Sequence, residues 1–420
     1  MLSTADADLA QRDPALAGLN VVLDTDAFAA ALRRCHPNVS INDVQLTYIR
    51  YRPTRLCLGA YRIDVKDAQP LSAHITTYNA TQWAKHSVAA DHHRMLPDRT
   101  VISLFPEDNR LTSLAHLIAP DTRHSVLTTL LPDISDSHDL QTLAYKPQRR
   151  YVGRIGNAHD TAAVLKHYRK QEYRKAAVAT AADYPTTNRL RIPRVLGQSQ
   201  RHHTLAFEWL PGQSLYAETT TAPNPDSLYA TGAALAEFHT LPTTALQQRG
   251  ADGTIAKLTA AVATVTQLCP PLASHAQRLA KHIAHHISQE VPTVARLHGD
   301  FHAKQVVLMP NQQIAIVDLD ENIAGDPRVD LGLFIAHFYD EEYQQHITPS
   351  QTASLIDALL EGYQTTARRQ ISDTLHYHVA AALFSLIHKP FRVHRPNWVH
   401  GIHTLLGHIS DILHSPYTQD

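Results

Sequence analysis

Apolar and polar residues alternate in two separate stretches of the first half of the chain, and both stretches predict β-hairpins. The first hairpin spans residues 42–65 and turns at Arg52-Pro53-Thr54-Arg55. The second spans residues 143–155 and turns at Lys146-Pro147-Gln148-Arg149. Proline with polar neighbours between two β-rich runs is typical of such a turn. The first 35 residues are helical at best.

After residue 215 the apolar residues recur three and four positions apart, which is the spacing of helices. This pattern predicts helices at 229–239, 258–268, 272–288, 353–363, 376–388 and 401–413. One short strand pair interrupts them, at residues 306–309 and 314–317, with a turn at 310–313. A strand-rich front half and a helix-rich back half indicate two lobes and an α+β fold class.

The two hairpins lie in segments that resemble each other. The aligned pairs are Tyr51–Arg55 with Tyr145–Arg149, His74–Tyr78 with Val164–Tyr168, and Phe105–Glu107 with Leu210–Gly212. We expect a degenerate duplication of one strand-rich unit, with copies at about residues 40–135 and 140–215. Chance similarity between short β segments is the alternative interpretation. Lys166 has Thr76 as its counterpart, so any role of this lysine is missing from the first copy.

Composition narrows the class of protein. Lys plus Arg is 38 and Asp plus Glu is 39, so the net charge of −1 gives no reason to expect a nucleic-acid or membrane partner. An apolar fraction of 44% can build a substantial core. The three cysteines are widely spaced and suit a reducing compartment. Since no segment has the pattern of a signal peptide or a membrane span, we expect a cytoplasmic protein.

Histidine is abundant, with 29 residues. His282, His285 and His286 have helical spacing that could present two imidazoles to a metal ion. We favour a solvated helix face instead, because no cysteine or carboxylate completes a ligand set at suitable spacing.

Candidate chemistry concentrates around the short strand pair in the back half. Asp300 lies on the loop before it, Gln305 follows five residues later, and Asp318 ends the return strand. Because the arms are short, the two ends of the hairpin meet, and we expect the three side chains to converge. A carboxylate can accept a hydroxyl proton, and oxygen ligands can hold Mg²⁺ against phosphates. The set therefore predicts phosphoryl transfer.

Three motifs in fixed order resemble the aminoglycoside phosphotransferase family, which includes choline-kinase-like and maltokinase-like small-molecule kinases. The motifs are His298-Gly299-Asp300-Phe301-His302, Val317-Asp318-Leu319-Asp320 and Gly325-Asp326-Pro327-Arg328-Val329-Asp330-Leu331-Gly332. The likeness covers about residues 140–420. It implies a bilobal protein-kinase-like fold with a strand-rich N-lobe and a helical C-lobe, preceded by a degenerate N-lobe-like unit. The implied domains are 1–139, 140–212 and 213–420.

The resemblance also assigns roles to residues of the C-lobe. Asp300 resembles the catalytic base, and Gln305 and Asp318 resemble the Mg²⁺ ligands. Asp320 is an additional candidate ligand, with a solvated carboxylate as the alternative. Asp330 resembles the buried aspartate that braces the catalytic loop.

Other residues resemble the family's ATP contacts. Lys166 resembles the strand lysine that contacts the α- and β-phosphates, and its carboxylate partner stays open, with Glu172 as one candidate. Glu208 and Leu210 resemble the hinge, where main-chain groups read adenine; a plain strand end followed by a turn is the alternative interpretation. No glycine-rich loop covers the phosphates, so we expect Lys146 and Arg149 to supply cations there.

We therefore expect an ATP- and Mg²⁺-dependent kinase that phosphorylates a hydroxyl of a small polar molecule such as a sugar, an aminoglycoside or an amino alcohol. Acceptor specificity in this family resides in the helical back of the C-lobe, which here carries His376, His378, Arg392, His394, Arg395 and Trp398. These cations and aromatic rings could suit a sugar or an anionic group, and a plain helix surface is the alternative interpretation. The alternative is a non-catalytic, kinase-like protein that binds nucleotide and regulates a partner. The missing glycine-rich loop, and Gln305 where the family usually has asparagine, keep this alternative open.

Overall fold

A computed structural model of the chain describes residues 2–414 except 67, 87–94, 133–138, 157–160, 181–183, 245, 292, 369 and 372. The chain forms two compact units. The first comprises Met1–Val126, Ala144–Tyr151 and His388–His400, and the second comprises Leu127–Leu143, Val152–Ile387 and Gly401–Asp420. The division into domains 1–139, 140–212 and 213–420 stays a prediction, because each unit combines separate stretches of chain.

The first unit contains an antiparallel five-stranded sheet in the order β1-β2-β3-β5-β4. Its strands are β1 (Ile41–Arg52), β2 (Leu56–Val65), β3 (Leu71–Tyr78), β4 (Met95–Leu96) and β5 (Thr100–Leu104). The helices that begin in this part of the chain are α1 (Thr4–Arg12), α2 (Leu19–Leu23), α3 (Thr25–Cys35), α4 (Ala80–His86), α5 (Leu114–Ile118) and α6 (Pro120–Leu130).

Aromatic packing fixes the early helices on this sheet. Phe28 of α3 stacks on Tyr61 of β2, with ring centroids 3.6 Å apart, and both side chains are buried. The Tyr61 hydroxyl donates a hydrogen bond to the carbonyl of Val22. Burial of large aromatic side chains contributes strongly to core stability. These contacts hold α2 and α3 against the sheet.

The segment His388–His400 is tied to the first helix. The carboxylate of Asp6 accepts a hydrogen bond from Nε1 of Trp398 and lies 3.2 Å from Nε2 of His394. Burial alone would raise the pKa of Asp6, but the bonds to His394 and Ser3 lower it below its usual value. His394 and Trp398 therefore help to hold the first unit together, and the part expected for them in acceptor specificity stays a prediction.

The second unit contains most of a five-stranded sheet in the order β10-β11-β8-β7-β6, and the turn end of its first hairpin, Ala144–Tyr151, groups with the first unit. The sheet strands are β6 (Asp139–Lys146), β7 (Arg150–Gly156), β8 (Thr161–Tyr168), β10 (Val195–Ser199) and β11 (Thr204–Phe207). A four-stranded sheet has the order β12-β14-β15-β9, and β13 pairs with β16. The short strands are β9 (Leu190–Arg191), β12 (Gln213–Ser214), β13 (Ala295–Leu297), β14 (Val306–Leu308), β15 (Ile314–Ile316) and β16 (Ile323–Gly325).

Helices make up most of the rest of the chain. They are α7 (Lys170–Ala179), α8 (Leu215–Thr221), α9 (Pro225–His239), α10 (Ala251–Leu268), α11 (Ala273–Gln289), α12 (Arg328–Tyr343), α13 (Pro349–Ala367), α14 (Leu375–Leu386), α15 (Lys389–Arg392) and α16 (Trp398–His414). The six helices predicted from apolar spacing and the predicted strand pair are confirmed. Across the described ranges, no helix is long and apolar enough to cross a membrane.

The two five-stranded sheets have the same topology. Each runs first-second-third-fifth-fourth strand, with a helix after the third strand, α4 or α7. The corresponding hairpin turns place Thr54 and Gln148 at φ values of 57° and 58°. This agreement supports the predicted duplication. The two helices immediately before each sheet also match in length, α2 with α5 and α3 with α6. The bounds of the two copies stay a prediction.

Candidate active site

The hairpin of β14 and β15 brings two of the predicted side chains into contact. Val306 pairs with Ile316, and the backbone N–H of Val317 donates to the carbonyl of Gln305 at 2.9 Å. Gln305 and Asp318 therefore leave the same end of the hairpin. Nε2 of Gln305 lies 3.4 Å from Oδ2 of Asp318. An amide and a carboxylate thus stand side by side at this end, as the sequence predicts.

Asp300 is connected to the same end of the hairpin through one buried imidazole. The backbone N–H of Asp300 donates to Nδ1 of His298 at 3.3 Å, and Nε2 of His298 contacts the carbonyl of Val317 at 2.8 Å. This pattern fits the tautomer protonated at Nε2. His298 and Phe301 are fully buried, whereas Asp300 is exposed. The buried neighbours anchor the loop and leave the carboxylate accessible.

A second buried carboxylate holds the backbone of this loop. Asp330, at the start of α12, accepts hydrogen bonds from the backbone N–H groups of His298 and Gly299, at 2.6 and 2.9 Å. Nε2 of His239 lies 3.3 Å from the same carboxylate. Burial alone would raise the pKa of Asp330, but the bond and charge of His239 hold it below its usual value. These contacts are the bracing arrangement that the resemblance implies for Asp330.

The loop also depends on Gly299, which has a φ of 81°. A Cβ atom at this position would lie 2.4 Å from the carbonyl oxygen of Glu321. Both the left-handed backbone and the close approach require glycine here. Gly299 therefore lets the loop pass against the segment that follows Asp318.

Asp318 itself has a left-handed backbone, with φ 67° and ψ 49°. This conformation is costly for a residue with a Cβ atom and is concentrated at functional sites. It turns the chain from β15 into the short 3₁₀ helix Leu319–Glu321. Asp318 and Asp320 are thereby placed against the same strand.

Lys166 of β8 contacts both of these carboxylates. Its Nζ lies 2.5 Å from Oδ1 of Asp318 and 3.2 Å from Oδ1 of Asp320, and the side chain is largely buried. The hydroxyl of Tyr168 donates to Asp320 at 3.1 Å. Lys166 and Tyr168 share one face of β8, because residues two apart on a strand point the same way. Sequence reasoning missed Tyr168, although its spacing from Lys166 was the available signal.

Glu172 has a different partner from the one considered for it. It forms an ion pair with Arg169, three residues earlier and beside the start of α7. Lys166 therefore uses Asp318 and Asp320 as its carboxylate partners. A contact between residues 152 positions apart leaves no local pattern in the sequence, and this explains why the pairing was not predicted.

The predicted hinge follows directly after β11. The backbone N–H of Glu208 donates to the carbonyl of Arg194 at 2.9 Å, and its carboxylate pairs with Arg191 at 2.5 Å. Burial would raise the pKa of Glu208, but the bonds from Arg194 and Arg191 lower it. Leu210 is buried. The carboxylate of Glu208 is thus occupied by arginine partners, and its main-chain carbonyl is the group that a ligand could use.

Lys146 and Arg149 lie on the turn between β6 and β7, and both are exposed. Between them, Pro147 and Gln148 are buried. The turn thus presents two cations outward while its centre is packed. Their proposed contact with phosphates stays a prediction.

The histidines of α11 pack against an aromatic ring. The ring of His286 stacks on Tyr377 with centroids 4.2 Å apart, and His282 lies 4.6 Å from His286. Among the residues that the structure describes, no group of three or more His, Cys, Asp and Glu side chains could hold a metal ion. A magnesium site at Asp318 and Asp320 would therefore also need Gln305 and ligand oxygens.

The assembled geometry combines an exposed carboxylate on a braced loop, a carboxylate pair beside an amide, and a buried lysine. Charges of this kind suit a reaction in which a highly anionic group is bound and moved. The model of the phosphotransferase enzyme family APH matches residues 141–373. Among curated protein sequences, none matches this chain.

Three solved structures illustrate the similarity of this chain in fold. A choline/ethanolamine kinase family protein from Mesorhizobium loti is 14% identical, covers 70% of this chain and 95% of its own, and superposes with a TM-score of 0.51. Choline kinase from Cryptosporidium parvum is 9% identical, with coverage of 70% and 95% and a TM-score of 0.49. The GDP complex of wild-type aminoglycoside 2'-phosphotransferase-IIIa is 16% identical, with coverage of 68% and 97% and a TM-score of 0.47. The first of these likenesses supports the bilobal kinase-like fold.

Proposed function

Because the chain belongs to the phosphotransferase enzyme family, whose model matches residues 141–373, we propose that it is an ATP- and Mg²⁺-dependent small-molecule kinase. It would move the γ-phosphoryl group of ATP to a hydroxyl of a small polar molecule such as a sugar, an aminoglycoside or an amino alcohol. The observation that carries the proposal is the contact of Lys166 with Asp318 and Asp320, at the end of the hairpin where Gln305 also lies.

The nucleotide base would bind at the hinge. The N–H of Glu208 already donates to Arg194, so the base would meet the carbonyl of Glu208 and the N–H of Leu210. Lys166 would contact the α- and β-phosphates, and Lys146 and Arg149 would add positive charge. Binding of this kind rests on positioning and charge neutralisation.

The side chains at the end of the hairpin fit a magnesium ion. Asp318 and Asp320 offer carboxylate oxygens that already surround the Lys166 ammonium, and Gln305 offers an amide oxygen beside them. Oxygen ligands are those that Mg²⁺ prefers, and it completes its shell with phosphate oxygens and water. When bound, the ion would neutralise charge on the phosphates during transfer.

Asp300 would act on the acceptor. Its exposed carboxylate would orient the hydroxyl and take its proton as the oxygen bonds to the γ-phosphorus. At the same time the bond from phosphorus to the bridging oxygen breaks, and ADP leaves. The brace from Asp330 and the anchor of His298 would keep this carboxylate in place, which is the positioning that such a reaction needs.

The proposal is tested by measuring phosphoryl transfer by the full chain. The assay follows the release of ADP or GDP and the phosphorylation of the acceptor. It uses ATP or GTP, with and without Mg²⁺, and a panel of sugars, aminoglycosides and amino alcohols as acceptors. We expect acceptor-dependent, Mg²⁺-dependent transfer with at least one class. Tight ATP binding with no transfer to any acceptor would instead support the non-catalytic regulator.

The partner of Lys166 gives a separate prediction. Asp320→Asn should lower kcat/KM for ATP by roughly tenfold, because Lys166 and Tyr168 lose the charged group that orients them. Glu172→Gln is the control, because it removes another carboxylate of the second unit, one that contacts Arg169. We expect kcat/KM of this variant to stay within about twofold of the wild-type value. Steady-state kinetics with varied ATP measures both variants. A larger loss in Glu172→Gln would contradict the assignment of Asp320.

A further inference from the structure

The short 3₁₀ helix that follows Asp300 brings the side chains of His302 and Gln305 together. His302 is the N-cap of this helix, which spans Ala303–Gln305, and the backbone N–H of Gln305 donates to the carbonyl of His302 at 2.8 Å. Residues three apart in a 3₁₀ helix lie on the same side of it. The imidazole of His302 and the amide of Gln305 are therefore neighbours, and their Nε2 atoms lie 3.4 Å apart.

Hydrogen bonding fixes the tautomer of His302. Its Nδ1 accepts the backbone N–H of Lys304 at 3.3 Å, so Nδ1 carries no proton. An imidazole that accepts at Nδ1 has its N–H group at Nε2. The ring of His337, on α12, packs against the ring of His302 with centroids 4.4 Å apart. His302 is thus held in place and presents a hydrogen-bond donor to the side chain of Gln305.

The amide of Gln305 can meet this donor in two orientations. Its NH₂ group can donate to Oδ2 of Asp318, at 3.4 Å, but it then faces the N–H of His302. Turned over, the amide accepts from His302 through its oxygen, which also faces the carboxylate of Asp318. Two oxygens at that distance repel each other unless a cation lies between them. Which side of an amide carries the oxygen follows from its partners, so the proton on His302 favours the orientation that offers an oxygen to a cation.

The distances between these groups suit a magnesium ion bound by both side chains. Mg²⁺ takes octahedrally arranged oxygens at about 2.1 Å, so neighbouring ligand atoms lie about 3 Å apart. The amide atom of Gln305 and Oδ2 of Asp318 are 3.4 Å apart, and both residues are half-buried. A glutamine side chain has several rotatable bonds, and fixing them costs conformational entropy. A hydrogen bond from His302 restricts this freedom before an ion binds.

We propose that His302 is a positioning residue for the metal site, which turns the amide of Gln305 so that its oxygen faces the Mg²⁺ ion. His302 acts through Gln305 and is not itself a ligand. An outer hydrogen bond of this kind orients many metal ligands, and its loss typically costs roughly 10–100-fold in metal affinity. The inference rests on the proposed function, because it needs the Mg²⁺ site at Gln305 and Asp318.

The test measures the dissociation constant of ATP for the full chain by calorimetry, with and without Mg²⁺. The ratio of the two constants reports how strongly the ion and the nucleotide support each other's binding. His302→Asn should lower this ratio by roughly tenfold or abolish the effect of Mg²⁺ altogether. Asparagine can still accept the N–H of Lys304, but its short side chain has no group that reaches Gln305. ATP affinity without Mg²⁺ should stay within about twofold.

Two further variants separate this role from ring packing. His302→Phe keeps a ring against His337 and lacks the Nε2 proton, so we expect the same loss; it also serves if His302→Asn does not fold. His337→Phe removes the neighbouring imidazole and should leave the ratio within about twofold of the wild-type value. Thermal unfolding shows that each variant is folded. Equal losses in His302→Asn and His337→Phe would overturn the inference.

A double-mutant cycle isolates the orientation of the amide. A carboxylate has an oxygen on each side, so Gln305→Glu offers an oxygen to the ion whichever way it turns. In this background the further change His302→Asn should lower the ratio by no more than about twofold. A full tenfold loss there would mean that His302 acts on the ion by another route, and the inference would fail.

The same measurements distinguish this inference from the proposed function. Binding is measured without transfer, so a wild-type chain whose ATP affinity rises with Mg²⁺ but which transfers no phosphate removes the kinase activity alone. A wild-type chain whose ATP affinity does not respond to Mg²⁺ removes the role of His302, because no ion then needs the oxygen of Gln305.

Discussion

Replacing Asp300 by asparagine should reduce kcat by roughly 10²–10⁴-fold while ATP binding stays nearly unchanged. The amide cannot take the hydroxyl proton, and residue 300 is exposed, so we expect little change in stability. The backbone of residue 300 would remain attached to His298, because that contact uses its N–H group. Steady-state kinetics measures kcat, calorimetry measures the dissociation constant of ATP, and a thermal unfolding curve measures stability.

Asp252→Asn is the matched control for Asp300→Asn. Asp252 is also an exposed aspartate of the second unit, in the first turn of α10, so the variant changes the net charge by the same amount. We expect its kcat to remain at the wild-type level. Near-normal turnover in Asp300→Asn, or an equal loss in Asp252→Asn, would remove the assignment of Asp300 as the catalytic base.

The parts of the site that sequence reasoning could predict are those joined by short stretches of chain. Gln305 and Asp318 flank a hairpin with three-residue strands, so their approach follows from chain geometry alone. The pairing of Lys166 with Asp320 depends on how two distant segments pack. Such a contact has no periodicity that a single sequence could reveal. The local glutamate, Glu172, was therefore a natural but incorrect candidate for that partner.

The duplication shows the same limit at the level of the fold. The two turns were recognisable because proline and a left-handed residue constrain the amino acids that fit there. The helices before each sheet share little beyond an aspartate and two buried leucines, because exposed helix positions vary freely. The buried carboxylates of Asp13 and Asp108, which precede the two pairs of helices, accept corresponding hydrogen bonds from the N–H groups of Thr54 and Gln148. A buried polar contact can thus outlast the surrounding sequence similarity.

Replacing Asp330 by asparagine should cost about 2–4 kcal/mol of stability and most of the activity. The carboxylate is fully buried and accepts from the N–H groups of both His298 and Gly299. An amide has one acceptor oxygen, so one buried donor would face an NH₂ group. The catalytic loop would then lose its fixed conformation. Denaturant unfolding gives the stability change, and steady-state kinetics gives kcat.

His239→Gln separates the brace from the surrounding core. His239 contacts the same carboxylate through Nε2 and the hydroxyl of Tyr363 through Nδ1. Both ring nitrogens are therefore engaged away from the loop backbone. We expect this variant to lose stability while kcat falls much less than in Asp330→Asn, because the two backbone bonds to the carboxylate remain. If both variants lost kcat in proportion to their stability, Asp330 would act as an ordinary core residue. A steeper loss of kcat in Asp330→Asn identifies it as the residue that holds the loop of Asp300 in its working geometry.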